Sequence, residues 1–380
     1  MRHLISPVRK NRADFVSLPK KVARSADVHA GSNLRTAFNS QSRASSRYTT
    51  EPRTMQRSLL LCFALIVSLQ CHRHQVHSDE HNLSEHQEHQ SMTDRTNFNL
   101  PIKTAGGTQL WTDHQWRNGY RIQQNALTGH WRLLDSQNVR RAWGSRMQCQ
   151  AALEGLCPKA ETSASTHYVI LLHGLMRTSG SMKSLEPVLA EAGLPDCIRF
   201  SYASTRFSIG KHSAALREVL EDLPNDATFS FVGHSMGNIV VRHLISDLQL
   251  EGDPHHILDR CQTMVMLGPP NQGAAIARRL GKLKLFEWVT GQGGIELGPE
   301  WEDLQAKLAT PPFPFHIIAG DINPPIANPL VDGESDYVVS VDEAKLDGSA
   351  SFQTVPVLHS FLMSTPDVMH KTAELLKPAS

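Results

Sequence analysis

Ser235 is the residue of this 380-residue chain whose surroundings most clearly suggest chemistry. It is the central residue of a Gly-x-Ser-x-Gly pattern with Gly233 and Gly237, between the apolar run 229–232 and residues 236–250, whose apolar positions recur at helical spacing. A serine in a sharp strand-to-helix turn takes strained backbone angles, and its neighbours must be small so that strand and helix can pass closely. The pattern therefore predicts that Ser235 is a nucleophile. The alternative is a helix cap in which the Ser235 hydroxyl bonds a backbone N–H.

A serine hydroxyl needs a base to take its proton, and His359 is the candidate. It directly follows the apolar, strand-like segment 352–358, where a base at the end of a late strand is expected. The other histidines are placed less well. His316 lies inside a strand-like run, His370 lies in the last helical segment, and His255 and His256 lie in a polar loop.

A carboxylate must hold the imidazole in one tautomer, and in this kind of fold it comes between the serine and the histidine in the chain. The candidates are Asp321, Asp332, Glu334, Asp336 and Asp342. Asp336 directly precedes an apolar run and Asp321 follows a strand-like run, so these two remain open. The other three are interpreted as turn or surface acids.

The negative oxygen of a tetrahedral intermediate needs backbone N–H donors. Met236, the first helical residue after Ser235, offers one such donor by its position. His234 is expected to support the turn around the serine rather than to transfer protons.

Apolar strand-like runs and helical runs alternate from residue 161 to residue 380. Continuous apolar strands separated by amphipathic helices predict an α/β fold, with a mostly parallel central sheet covered by helices on both faces. Ligand chemistry then belongs at the carboxyl ends of the strands. The predicted strands are 168–172, 198–202, 229–232, 263–267, 315–319, 337–341 and 352–357, and the predicted helices are 182–192, 213–223, 236–250 and 367–376.

From about residue 165 to its end, the chain resembles the α/β-hydrolases of the lipase and esterase type. The segments that carry the resemblance are His173-Gly174-Leu175, Gly233 to Gly237, Gly268-Pro269-Pro270-Asn271-Gln272-Gly273, Asp336 to Val341, and Leu358-His359. Bacterial lipases of this kind carry the triad acid in an Asp-Gly-x-Val segment, which favours Asp336 although Tyr337 replaces the glycine. The resemblance also implies that the backbone N–H of Leu175 is the second oxyanion donor.

The resemblance implies a serine hydrolase that cleaves carboxylic esters, with lipid or other apolar esters as substrates and no metal or organic cofactor. Two kinds of rival function remain open. The same triad could serve an amidase, a thioesterase or an acyltransferase. Alternatively, the chain could be a catalytically silent binding protein of the cell envelope that keeps a hydrolase-like shell.

The charge distribution is uneven along the chain. Residues 1–57 contain 12 Lys and Arg against three Asp and Glu, a net charge of +9, whereas the whole chain has a net charge of +1. The remainder is therefore acidic, which argues against nucleic acid as a partner because phosphate contacts need a basic face. No heptads, Gly-X-Y repeats or multiple long apolar runs occur, which excludes coiled coils, fibres and multi-span membrane proteins.

The first 98 residues are expected to lie outside the folded enzyme. Residues 1–54 are rich in Arg and Ser and are interpreted as an over-called or disordered leader before a start at Met55. Residues 55–71 resemble a signal peptide, since the apolar run 59–69 is too short to span a bilayer. A buried helix is the alternative interpretation of that run. Residues 72–98 contain six histidines between positions 72 and 89 and are interpreted as a linker rather than a metal site.

These features predict an exported protein, either periplasmic, envelope-associated or secreted, with possible contact to a lipid surface. Cys71 ends the apolar run, so lipidation is open but not favoured, because the residues before it only weakly resemble a lipobox.

Residues 99–160 are predicted to form an ordered extension, because four of the six tryptophans lie between positions 111 and 143. The segments 119–123 and 130–134 flank the turn signal 125–129 and predict a β-hairpin packed on the main domain. Cys149 and Cys157 could form a disulfide in an exported protein.

Residues 281–300 combine apolar side chains with a cluster of glycines. This segment could be a mobile apolar cap over the acyl pocket, or an ordinary core helix followed by a loop. The sequence leaves both interpretations open.

Overall fold

The computed structural model describes residues 100–159, 166–281, 284–322, 328, 330–331 and 333–377, with the side chains of residues 284–289 excepted. The predictions for residues 1–54, 55–71 and 72–98 lie outside these described residues. Within them, no helix has the length and apolar character needed to cross a membrane.

An antiparallel five-stranded sheet forms the N-terminal extension, in the order β1-β5-β4-β3-β2. Its strands are β1 (Ile102–Lys103), β2 (Trp111–Arg117), β3 (Tyr120–Asn125), β4 (Trp131–Leu134) and β5 (Val139–Gly144), followed by helix α1 (Arg146–Leu156). The predicted hairpin corresponds to the antiparallel pair β3–β4. It is part of a larger sheet, in which α1 packs Leu153 against Ile122 and Leu133.

Cys149 and Cys157 are both free thiols, so the structure contains no disulfide between them. Cys149 is fully buried in the small core under α1. Burial raises the pKa of the Cys149 thiol to about 11, as expected for an unreactive core residue.

A parallel six-stranded sheet forms the centre of the larger part of the molecule, in the order β11-β10-β9-β8-β6-β7. Its strands are β6 (His167–Leu172), β7 (Cys197–Phe200), β8 (Thr228–His234), β9 (Cys261–Leu267), β10 (Phe315–Gly320) and β11 (Ser351–Val355). The surrounding helices are α2 (Leu185–Glu191), α3 (Ile209–Asp222), α4 (Met236–Glu251), α5 (Ile257–Arg260), α6 (Ala275–Leu280), α7 (Lys284–Glu296), α8 (Trp301–Gln305), α9 (Val341–Ala344) and α10 (Pro366–Leu375), with short 3-10 turns at Ser179–Met182 and His359–Phe361.

Helices cover both faces of this sheet, which explains why its strands are continuously apolar. In β6, Ile170 and Leu172 belong to the core shared with α3 and α4. The alternating Val169 and Leu171 belong to a second core, shared with α2 and α10. The strand order and the two helical layers confirm the expected α/β-hydrolase fold.

The predicted strand 337–341 is wrong. The segment is a tight turn followed by α9, and only an isolated bridge joins Ser335 to Ser340. Asp336 Oδ1 accepts hydrogen bonds from the N–H groups of Val338 and Val339, at 3.0 and 2.8 Å. These side-chain bonds take the place of a strand ladder, because an aspartate can bind the backbone two or three residues further on.

Candidate active site

Ser235 lies in the sharp turn between β8 and α4, as its pattern predicts. Its backbone angles are φ 53° and ψ −123°, in a region that residues other than glycine seldom adopt. A Cβ atom at Gly233 would lie 2.9 Å from the backbone nitrogen of Asn238, and one at Gly237 would lie 2.7 Å from the carbonyl oxygen of Leu172. Both glycines are therefore required by close backbone contacts, and Ser235 itself remains half-buried.

Asp336 and His359 form a buried pair at the carboxyl end of the sheet. His359 Nδ1 lies 2.7 Å from Asp336 Oδ2, and the two side chains are only 9% and 1% exposed. The N–H of His359 also donates to the carbonyl oxygen of Asp336, at 2.9 Å. Since an ionised carboxylate only accepts, Nδ1 of the imidazole carries the proton, and Nε2 is left as a potential base.

Asp336 rather than Asp321 is the carboxylate that contacts His359. Asp321 comes directly after β10, where its backbone N–H donates to the carbonyl oxygen of Val355 at 2.8 Å. Asp342 lies in the first turn of α9, and Asp332 lies outside the described residues. The other histidines considered also lie elsewhere: His316 contacts Ser351 at 2.8 Å, and His256 contacts Asp259 at 3.2 Å.

The buried pair lies beside the turn that holds Ser235. The N–H of Ser235 donates to the carbonyl oxygen of Leu267 at 2.9 Å, and a Cβ on the next residue, Gly268, would lie 3.0 Å from His359 Nδ1. On the other side, His234 Nε2 lies 3.0 Å from the carbonyl oxygen of His359. His234, which precedes Ser235, and Gly268, which follows Leu267, thus both lie against His359.

His234 is a support for this arrangement. Burial, together with the neighbouring charges of His359 and Arg177, holds the pKa of the His234 imidazole well below its usual value. The ring therefore stays neutral and donates its Nε2 proton to the His359 carbonyl. The rings of His234 and His359 lie 4.8 Å apart.

Leu175 and Met236, the two predicted oxyanion donors, lie close together. A Cβ atom at Gly174 would lie 3.1 Å from Ser235 Cβ, so the loop after β6 runs directly against the serine turn. Met236 is the first residue of α4. A Cβ atom at Gly293 would lie 3.0 Å from Met236 Sδ and 3.3 Å from Leu175 Cδ1. Gly293 of α7 thus packs over both residues.

The segment 281–300 contains helix α7, which is interrupted at Gly291 with φ 61°. A Cβ atom at Gly291 would overlap the carbonyl oxygen of Thr205. This glycine therefore lets α7 pass close to the loop after β7. The apolar side chains on which the cap interpretation rests lie outside the described residues, so both interpretations of this segment stay predictions.

Three polar residues near the site were not identified from the sequence. The side chain of Asn238 donates to the carbonyl oxygen of Ser235 at 3.0 Å. Tyr202 stacks on His173 at 4.0 Å and donates its hydroxyl proton to the His173 carbonyl. Ser204 accepts the N–H of Met176 at 3.1 Å. Only Asn238, one turn into the helix after the serine, could have been inferred from its position.

The described residues contain no group of three or more His, Cys, Asp or Glu side chains that could hold a metal ion.

Burial lowers the pKa of His173 to about 4, which keeps that imidazole neutral.

No family model and no curated protein matches the chain. Similar solved structures include the mature lipase BlEst2 of Bacillus licheniformis, with 14% identity and a TM-score of 0.42 over 57% of this chain and 95% of that one. Another is the phospholipase PlaB of Legionella pneumophila, with 17% identity and a TM-score of 0.43 over 57% and 59%. A third is the metagenomic carboxyl esterase MGS0156, with 15% identity and a TM-score of 0.39 over 57% and 73%.

Proposed function

We propose that this protein is a serine hydrolase that cleaves carboxylic esters with Ser235, His359 and Asp336. The observation that carries the proposal is the buried His359–Asp336 pair, joined at 2.7 Å, beside a serine held in a strained strand-to-helix turn. Such a carboxylate fixes the imidazole tautomer and stabilises the imidazolium that forms during reaction.

In the proposed mechanism, His359 Nε2 takes the proton of the Ser235 hydroxyl as Oγ attacks the ester carbonyl carbon. The oxygen becomes negative in the tetrahedral intermediate, where the N–H groups of Leu175 and Met236 bind it. His359 then gives the proton to the leaving alcohol, and the acyl group remains on Ser235. Water, activated by the same imidazole, releases the acid. None of these steps requires a cofactor.

An apolar acyl group suits the surroundings of the proposed donors. The side chains of Leu175 and Met236, the two proposed donor residues, are apolar and lie close to Gly293 of α7. This arrangement supports lipid or other apolar esters as the substrate class. Export of the protein, and peripheral contact with a lipid surface, remain proposals that rest on the residues before position 99.

Fluorophosphonate labelling tests the proposal, because the probe phosphonylates an activated serine. Wild type should be labelled and should hydrolyse nitrophenyl esters, with a preference for longer over acetyl chains. Ser235→Ala should no longer be labelled, and its turnover number should fall by a factor on the order of 10⁶. Ser364→Ala is the matched control, since the exposed Ser364 hydroxyl donates only to the nearby carbonyl of Phe361.

A wild-type protein that the probe does not label would favour the silent binding protein. Labelling together with faster cleavage of anilides or thioesters than of esters would move the assignment to an amidase or a thioesterase.

A further inference from the structure

The loop after β6 adopts a backbone conformation that its surroundings must hold. Met176, next to the proposed donor Leu175, has φ 60°, and a residue other than glycine keeps this conformation only where neighbouring groups fix it. The N–H of Met176 donates to Ser204 Oγ at 3.1 Å. Ser204 is fully buried in the loop that follows β7.

Gln109, in the N-terminal extension, completes this hydrogen-bond chain. Its side-chain nitrogen donates to the carbonyl oxygen of Arg177, and its Oε1 accepts the hydroxyl proton of Ser204 at 3.0 Å. The orientation of the amide is fixed, because the Arg177 carbonyl can only accept. Ser204 therefore uses its single proton on Gln109 and leaves its lone pairs for the N–H of Met176.

The same contacts reach the peptide group that carries the Leu175 N–H. The N–H of Arg177 donates to the carbonyl oxygen of Gly174 at 3.2 Å, and His173 Nδ1 lies 2.9 Å from that oxygen. The Gly174 carbonyl and the Leu175 N–H belong to one planar trans peptide and point in opposite directions. Whatever fixes the carbonyl therefore also aims the N–H.

We propose that Gln109 is a positioning residue that aims the Leu175 N–H at the oxyanion. This inference rests on the proposed function. Gln109 holds Met176 through Ser204 and holds Arg177 directly, so one side chain of the N-terminal extension fixes the two residues that follow Leu175. Through Gln109, the extension thus helps to position the catalytic apparatus.

The expected kinetic effect is specific, because the oxyanion exists only in the transition state and the intermediate. A misdirected donor lowers kcat and leaves substrate binding nearly unchanged. Deleting one oxyanion donor costs about 10²–10³ in kcat. Since Leu175 keeps its N–H, we expect Gln109→Ala and Ser204→Ala each to lower kcat on the order of tenfold, with KM within about twofold.

A trifluoromethyl ketone provides the readout that a merely structural role would not change. Its adduct with Ser235 carries an oxyanion, so its inhibition constant should rise by the same factor as kcat falls. The double variant should lose no more than Gln109→Ala alone, because Gln109→Ala already breaks the contact through Ser204 as well as the one to Arg177. Gln124→Ala, on β3, is the matched control and should resemble wild type, since the Gln124 side chain donates to the Gly129 carbonyl at 3.5 Å. If Gln109→Ala does not fold, Gln109→Met has a side chain of similar length and lacks the hydrogen bonds to Arg177, Ser204 and Thr205.

Suppose that wild type is active and that the folded Gln109 variant and Ser204→Ala both keep a kcat within twofold of the wild-type value. That result would overturn this inference and leave the proposed function intact. A raised KM at unchanged kcat would overturn it as well. Wild type that neither reacts with fluorophosphonate nor hydrolyses esters would instead refute the proposed function.

Discussion

Asp336 uses its two carboxylate oxygens for different purposes. Oδ1 accepts the N–H groups of Val338 and Val339, at 3.0 and 2.8 Å, and so shapes the turn in which the residue lies. Oδ2 faces His359 Nδ1 at 2.7 Å. An amide in place of the carboxylate would have to turn an NH2 group toward either the backbone N–H groups or the imidazole N–H. At the scale of single residues, the acid is therefore harder to replace than its size suggests.

We expect Asp336→Asn to lower kcat on the order of 10⁴, because the imidazole loses the partner that selects its tautomer. Asp321→Asn is the matched control, since Asp321 also lies between Ser235 and His359 in the chain, but it is Asp336 that pairs with the imidazole. Steady-state hydrolysis of a nitrophenyl ester checks both. Near-wild-type activity of Asp336→Asn together with an inactive Asp321→Asn would transfer the role of the acid to Asp321.

At the scale of elements, the close crossing of β6 and α4 depends on one glycine. A Cβ atom at Gly237 would lie 2.7 Å from the carbonyl oxygen of Leu172 and 2.9 Å from that of His173. Both neighbours are backbone atoms, which cannot rotate away as the end of a side chain can. By contrast, a Cβ atom at Gly155 in α1 would meet nothing within 4 Å.

Gly237→Ala and Gly155→Ala should therefore change stability in opposite directions. We expect Gly237→Ala to lower the free energy of unfolding by about 1–3 kcal/mol, because α4 must shift away from β6. We expect Gly155→Ala to raise it by up to about 1 kcal/mol, since alanine favours the helix and nothing obstructs it. Urea unfolding followed by circular dichroism checks both, and equal effects of the two substitutions would contradict the close crossing.

The serine turn could be predicted from the sequence because everything that shapes it is local. Gly233, Ser235 and Gly237 lie within one short segment, between a strand and a helix that each have clear periodicity. The turn at Asp336 could not be predicted in the same way. Val338 and Val339 are residue types that favour a strand, but their N–H groups bind the Asp336 side chain, which stabilises a turn instead. A sequence pattern records side-chain type but not which backbone group a side chain binds.

Gln109 shows a second limit of sequence reasoning. Its partner carbonyl belongs to a residue 68 positions further along the chain, and a glutamine before a strand has no distinguishing pattern. Its position becomes apparent only after both sheets are formed and brought together. The sequence predicts only a β-hairpin packed on the main domain, whereas the structure places one side chain of the extension against the loop beside Ser235.

At the scale of the whole molecule, Asp113 joins the two sheets. Its backbone N–H donates to the carbonyl oxygen of Ser201 at 2.8 Å, and its Oδ2 accepts the N–H of Ser201 at 2.7 Å. Its Oδ1 accepts the side-chain amide of Gln123 at 2.6 Å. Asp113 is almost fully buried, so the Ser201 N–H and the Gln123 amide would each lose this acceptor if the carboxylate were removed. The two sheets are thus expected to unfold as one cooperative unit.

We expect Asp113→Ala to lower the free energy of unfolding by about 2–5 kcal/mol, because two buried donors would be left unsatisfied. Four of the six tryptophans belong to the N-terminal sheet, so tryptophan fluorescence mainly reports that sheet, while far-ultraviolet circular dichroism mainly reports the helices around the larger one. In urea, the unfolding midpoints of both signals should fall together.

Asp259→Ala is the matched control, since the Asp259 carboxylate is 80% exposed and pairs with an exposed His256. Its free energy of unfolding should stay within about 0.5 kcal/mol of the wild-type value. Separate fluorescence and dichroism transitions in the wild-type protein would show that the extension unfolds on its own, and would remove the physical basis for its control of the loop beside Ser235.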